Sequence, residues 1–274
     1  MLSGKKIGFL GAGNMAEALI RGLLKSSLVD VNSLRVSDVS EGRLRCFKES
    51  YSLKTFQLNG PLVADSDILI LAIKPQNMRD VLREIKGLVR MDQTIISIAA
   101  GIPIPFIIEE LERGARVVRV MPNTPALVLE GASAISLSPY ATAEDLDVTK
   151  SIFSSVGKVV VVEEKLMDAV TGLSGSGPAY VFLAMEAMRE AGIHLKIPPE
   201  VAHLLVVQTF LGAARMVMET QEDPRALRQR VSSPGGTTLA GLKVLEEQDF
   251  SGILKKAVEA AARRSRELAP RHGS

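Results

Sequence analysis

The stretch KKIGFLGAGNMAEALI, residues 5–20, constrains the fold more than any other part of this 274-residue chain. A short β-rich run, KKIGFL, passes without a linker into G-x-G-x-x-A and then into NMAEALIRGLLKSS, where Met15, Leu19 and Leu23 recur at helical spacing. A strand that turns at once into a helix needs a residue free to take a tight turn, and Gly11 supplies it. Gly13 lets a pyrophosphate approach the backbone, and Ala16 is small enough for the helix to pack closely on the strand. The free N–H groups and dipole of the first helical turn favour the anion. The turn is read as a dinucleotide-binding site formed by Leu10, Gly11, Gly13, Asn14 and Met15. A tight strand-to-helix turn without ligand is the alternative.

The same alternation continues. SLRVSD reads as a second strand and EGRLRCFKES as a mixed helix. The fully apolar run DILILAIKP fits a strand buried on both faces of a parallel sheet. QNMRDVLREIKGLV, QTIISIAAG, PFIIEELERG and ARVVRVMP then alternate helix and strand. ASAISLS, a helix over residues 143–155 and KVVVVEE extend the sheet. This order predicts a doubly wound, Rossmann-type α/β domain.

Such sheets bind ligands at the C-terminal ends of their strands. Asp38 ends the second strand, where the adenosine ribose is expected. Its carboxylate can hydrogen-bond both ribose hydroxyls of NADH and repel the 2′-phosphate of NADPH, and so favours NADH. Arg43 and Arg35 could offset that repulsion, which leaves NADPH open. Asp38 as a cap of the following turn is the alternative. The next strand ends lead into AIKPQ (72–76), with Ile73 and Lys74, and SIAAGIP (97–103). Ala99, Ala100 and Gly101 leave room for ribose and nicotinamide. Lys74 reads equally as a cofactor contact or a surface side chain, and Asn59, in LNGP, as a turn residue.

After Glu164 the strand pattern stops. Residues 168–195, 198–220 and 250–268 all read as helices. The middle one is apolar around most of its circumference, through Val201, Leu204, Leu205, Val206, Val207, Phe210, Leu211 and Met216. A helix apolar all round must be buried from several sides. The helical part alone is thin cover for it, so a dimer with intertwined helical domains is expected. The predicted division is residues 1–163, a dinucleotide-binding domain, and 164–274, an all-helical substrate-binding and dimerisation domain.

Composition removes other classes. Lysine and arginine number 33 against 31 acids, with no long charged run, so nucleic acid and membrane surfaces are poor partners. Aromatic residues are 4% of the chain with no Trp, which argues against base-stacking platforms. His194, His203 and His272 are too scattered for a zinc site, so no metal is expected. The single Cys46 cannot form an internal disulfide. The expectation is a soluble, reduced, cytoplasmic protein, with the closing RHGS (271–274) left out of the fold reading as a tag-like remnant.

Two polar, glycine-rich pieces lie in the helical half: TGLSGSGPAY and VSSPGGTT. Each is read as the start of a helix whose N–H groups form a concave anion site, with a carboxylate as the ligand because basic neighbours are sparse. Helix caps packed through small residues are the alternative. GAGNMAEALIRG, AIKPQ, MPNTPA, TGLSGSGPAY and VSSPGGTT together resemble, in order and spacing, the pyrroline-5-carboxylate reductases, from about residue 5 to 268. The resemblance implies reduction of 1-pyrroline-5-carboxylate to L-proline by NADPH or NADH, in homodimers often assembled into decamers. It implies that Gly235, Gly236, Thr237 and Thr238 hold the substrate carboxylate, with the Thr238 hydroxyl near the ring nitrogen or carboxylate. It places Glu164 near the substrate amine, Asn59, Lys74 and Ala100 along the cofactor, and MPNTPA (121–126) beside the nicotinamide. Asp38 departs from the small hydroxyl residue that many members carry there.

A protonated imine is already electrophilic, so hydride transfer depends on positioning more than on acid catalysis. Thr238 or a water can relay the amine proton, and Glu164 can stabilise the iminium charge. Two rival readings remain. One is a β-hydroxyacid or other imine reductase of this two-domain type, for which Lys165, Lys196 or Lys243 would be the proton donor. The other is a dinucleotide sensor without turnover.

Overall fold

The structure, a computed structural model, describes residues 2, 4–112 and 114–269. His272 and the RHGS segment lie outside the described residues. The chain divides into two compact units: one runs to Ser176 and resumes at Glu259, and the other is Gly177–Val258.

The first unit is built on eight strands: β1 (Ile7–Leu10), β2 (Leu34–Ser37), β3 (Lys54–Phe56), β4 (Ile68–Leu71), β5 (Thr94–Ser97), β6 (Arg116–Met121), β7 (Gly131–Leu137) and β8 (Gly157–Val161). They lie in the order β3-β2-β1-β4-β5-β6-β7-β8. The pairings from β3 to β6 are all parallel, β7 runs antiparallel to β6, and β8 runs parallel to β7. Strand order therefore reverses between β1 and β4, which opens a crevice at their C-terminal ends.

The central strands are apolar on both sides because both faces are covered. IGFL of β1 and ILIL of β4 are buried at every position. On one face Phe9, Val36 and Ile70 pack against α1 (Asn14–Lys25), α2 (Glu41–Tyr51) and α6 (Ala143–Ser154). On the other, Leu10, Leu71 and Val117 pack against α3 (Asn59–Ala64), α4 (Met78–Ile85) and α5 (Ile104–Leu111). Each fully buried large side chain, such as Phe47 from α2 or Phe153 from α6, contributes on the order of 2–3 kcal/mol. Strand β3 and helix α3, in a stretch that reads from sequence only as a turn around LNGP, complete this side of the sheet.

At the opposite, N-terminal edge, Asp145 of α6 is fully buried. It accepts hydrogen bonds from Arg116 Nε and Nη2 at 2.9 and 2.7 Å, from Thr94 Oγ1, and from the Thr142 backbone N–H at 2.7 Å. Burial pushes this carboxyl up, but the Arg116 guanidinium, Thr94 and Thr142 outweigh it and hold its pKa below the ordinary value.

The second unit contains α8 (Gly177–His194), α9 (Pro199–Thr220), α10 (Pro224–Arg230), α11 (Thr237–Glu247) and the first turns of α12 (Phe250–Leu268). Helices α8 and α9 pack together through small residues, a Cβ on Gly192 lying 3.3 Å from Ala202 Cβ. Tyr180 donates to the carbonyl of Ala257 at 3.4 Å. Within α9 only Ala202 and Val206 are buried; Val201, Leu204, Leu205, Val207, Leu211 and Met216 stay exposed in the single chain. With a mean hydropathy of 1.5, α9 is the one helix among the described residues long and apolar enough to cross a membrane.

Candidate active site

The glycine turn sits at the crevice between β1 and β4. Gly11 has φ +102°, and its N–H donates to Ser37 O at 2.8 Å. A Cβ there would stand 2.5 Å from Ala72 O, so only glycine fits. At Gly13 an added Cβ would meet no protein atom within 4 Å. Its bareness serves nothing inside the chain and suits a ligand that approaches the backbone closely. Gly13 is the N-cap of α1, and no side chain caps that helix, so its first N–H groups face outward without helical partners. These features fit a nucleotide pyrophosphate. Asn14 is exposed at the first position of α1. Leu10 has its side chain in the core and its carbonyl taken by the Ala72 N–H, while Met15 packs half-buried against the same core as α1.

Ala12, the residue between the two glycines, is gripped at both backbone atoms. Its N–H donates to Asp38 Oδ2 at 2.7 Å, and its carbonyl accepts from Arg43 Nε at 2.7 Å. The other oxygen of Asp38 accepts the Ser40 N–H at 2.8 Å. Arg43 Nη2 reaches Glu17 of α1 at 2.9 Å, and its guanidinium lies over the Phe47 ring. The Tyr51 hydroxyl donates to the other oxygen of Glu17 at 3.2 Å. Arg35 does not take part. It is 4% exposed and paired through Nε with Asp65 at 2.9 Å, near the start of β4 rather than at the strands' C-terminal ends. The expectation that it could meet a 2′-phosphate is therefore corrected: a cation in a buried strand goes to the nearest acid. Asp65, which also accepts from Lys54 and Lys6, is held well below the usual carboxylate range by Arg35 first and then by the two lysines.

Asn59 lies beside this corner as the first residue of α3. It accepts from Ser37 Oγ at 2.7 Å and donates to Glu84 at 2.8 Å. Ile73 stands behind the glycine turn, its Cγ2 3.1 Å from where a Gly11 Cβ would be, while Lys74 is exposed. Ala100 is half-buried beside Gly101, whose φ is +73°. A Cβ on Gly101 would lie 2.9 Å from Ser265 O and Leu268 Cβ, so the last turns of α12 press directly on this loop.

Glu164 is not a solvated acid. Its Oε1 accepts the N–H of Ile104, the first residue of α5, at 3.0 Å and Arg119 Nη1 at 2.8 Å. Arg119, from β6, is 4% exposed. Asp168, in α7 (Met167–Val170), lies 3.8 Å from Arg119 Nη2 and accepts from Ser265 of α12 at 2.7 Å. Arg119 and Asp168 were not identified from sequence. The signal was an arginine inside ARVVRVMP, since a charge in a buried strand requires a partner.

The two glycine-rich pieces differ. In VSSPGGTT, Gly235 has φ +70°, the Gly236 N–H donates to Ser233 O at 3.0 Å, and α11 begins at Thr237 with no side-chain cap. The first-turn N–H groups around Thr237 and Thr238 thus lack helical partners, and Thr238 is half-buried. TGLSGSGPAY corrects the expectation of a free helix start. Residues Thr171–Gly175 form a π-helical turn between α7 and α8, and the Ser176 N–H donates to Thr171 O at 2.8 Å. Thr171 and Ser174 hydroxyls donate back to Met167 O and Val170 O, so local side chains sustain the widened turn. A Cβ on Gly175 would lie 2.6 Å from Met121 Cε, and Asn123 Nδ2 donates to Ser174 O at 3.1 Å. The MPNTPA segment and this turn are therefore packed together.

Two of the three lysines of the rival hydroxyacid reading are engaged in surface ion pairs. Lys165 pairs with Glu163 and Lys243 with Glu247, all exposed.

A sequence profile for pyrroline-5-carboxylate reductase dimerisation matches residues 164–268, and one for NADP oxidoreductase, coenzyme F420-dependent, matches residues 6–101. A pyrroline-5-carboxylate reductase of Arabidopsis thaliana is 44% identical over 96% of this chain and 95% of its own length. The solved pyrroline-5-carboxylate reductase of Coxiella burnetii superposes with a TM-score of 0.89 at 39% identity, over 97% of this chain and 99% of that one. A Plasmodium falciparum pyrroline carboxylate reductase, solved with NADP bound, gives the same TM-score at 32% identity with the same coverage. With full-length relatives at this level of identity, the chain belongs to the pyrroline-5-carboxylate reductase family.

Proposed function

We propose that residues 1–163 hold the nucleotide, that residues 164–274 hold the substrate and join two chains, and that Thr238 carries the proton step. The chain is an NAD(P)H-dependent oxidoreductase that reduces the C=N bond of 1-pyrroline-5-carboxylate to give L-proline, the last step of proline biosynthesis. When bound, NAD(P)H supplies the hydride. The chain's own residues bind and orient. Gly11, Gly13, Asn14 and the start of α1 take the pyrophosphate, while Asp38 takes the ribose. Leu10, Met15, Asn59, Ile73, Lys74 and Ala100 complete the cofactor wall, Leu10 and Met15 through the backbone.

Gly235, Gly236, Thr237 and Thr238 hold the substrate carboxylate, the two glycines by shaping the turn and the threonines through the open N–H groups of α11. The Thr238 hydroxyl holds or relays the proton at the ring nitrogen. Glu164, already paired with Arg119, serves the substrate amine by fixing the start of α5 in place. The observation that carries this reading is the pair of uncapped helix starts after glycine, Gly13 before α1 and Gly236 before α11. Each offers N–H donors to an anion, one to a pyrophosphate and one to a carboxylate.

The exposed apolar face of α9 supports burial against a second copy rather than in a bilayer, because the dimerisation profile spans this helix. The proposal extends to assembly beyond the dimer, up to a decamer, and to the cytoplasm. The test is to mix purified protein with pyrroline-5-carboxylate and follow NADH and NADPH oxidation separately, with proline assayed as product. Proline formation is expected. Nucleotide binding without turnover would send the α11 site back to some other carboxylate.

A further inference from the structure

We infer that Glu17 sets the nucleotide preference of this chain towards NADH by holding Arg43 away from the 2′-phosphate position. The inference deepens the NAD(P)H-dependent reading and rests on it for the identity of the ligand.

Both oxygens of Asp38 are fixed by backbone donors, Ala12 N–H and Ser40 N–H, so the carboxylate stands oriented beside the glycine turn. A ribose diol can donate to such a group, whereas a 2′-phosphate would add a charge of about −1.5 to −2 next to it. Only a free cation could compensate. From Asp38 onward the corner reads DVSEGR, so Arg43 is the cation the corner offers.

Arg43 is committed elsewhere. Its Nε holds Ala12 O, its Nη2 holds Glu17 at 2.9 Å, and Phe47 underlies the guanidinium plane. Glu17 is itself fixed by the Tyr51 hydroxyl. Burial first, and then the Glu17 charge, push the Tyr51 phenol above its ordinary pKa, so Tyr51 stays a neutral donor. Glu17 sits on the first turn of α1 and need not touch the nucleotide. It acts through Arg43, as a positioning residue.

The test is direct titration of the full chain with NADH and with NADPH, followed by calorimetry or nucleotide fluorescence, which needs no turnover. The wild-type protein is expected to bind NADH about tenfold or more tightly than NADPH, the effect of one unfavourable charge pair. In E17Q, where the charge that holds Arg43 Nη2 is lost, NADPH should bind about fivefold more tightly while NADH moves far less. D38S should weaken NADH and tighten NADPH, and D38S/E17Q should gain more for NADPH than the product of the two single changes. Wild-type preference for NADPH, or an E17Q effect equal for both nucleotides, would overturn the inference and leave the reductase reading intact. Failure to bind either nucleotide would overturn the cofactor reading itself.

Discussion

Thr238 is the residue to which the proposed proton step is assigned. Its hydroxyl belongs to the first turn of an uncapped helix, whose open N–H groups are proposed to hold the substrate carboxylate. T238A is expected to lower kcat/KM by about ten- to a hundredfold, the loss of one or two hydrogen bonds, and T238S to recover most of it. An unchanged value in steady-state kinetics would remove Thr238 from the mechanism. At this scale the sequence was partly legible. Gly11 and Asp38 stand where a strand-turn-helix pattern puts them. The grip on Ala12 was not, because Asp38 and Arg43 reach it from β2 and α2 and no local spacing records that approach. Glu164 was named as a candidate through family motifs alone. Its partner Arg119 lies 45 residues away in sequence and comes into contact only after β6 and β8 join one sheet.

Among the elements, the buried strands and long helices could be read from periodicity, since covering both faces of the sheet demands runs such as DILIL. Short, half-exposed β3 carries no such demand, and KTF gives no alternation to read. The reversal of β7 against β6 is likewise a property of the connection through Thr124–Val128, not of the residues of β7. The Asp145 cluster ties α6 to β5 and β6, and with Asp65 it contributes to the acid limb of stability. Its folded pKa is below the unfolded value of about 3.9, so its stabilisation is present above that pH and is lost as pH falls through the folded value. D145N is expected to cost about 2–3 kcal/mol at pH 7, less than a fully buried pair because Arg116 keeps some access to water. It should also flatten the loss of stability as pH falls below the ordinary carboxylate range. Denaturant melts of both proteins across that range check this; equal slopes would mean that Asp145 contributes nothing to the acid limb.

For the molecule as a whole, the exposed apolar residues of the helical unit require a second copy. Leu204, 66% exposed in the single chain, lies on α9 within the stretch that the dimerisation profile matches. L204D is expected to give a monomer by light scattering and to lose most reductase activity, while circular dichroism at low temperature keeps its helical signal. Full activity in a sample shown to be monomeric would refute the need for two chains. The return of α12 has a different consequence. Its last turns supply Ser265 to Asp168 and lie against Gly101, so the first unit includes residues made after the entire helical unit. During synthesis, the first unit lacks part of its contacts when its own strands have emerged from the ribosome. It must wait for Glu259 and the residues that follow, although domains generally mature in the order in which they are made. The first unit thus gains its last segment only after the whole second unit has been made.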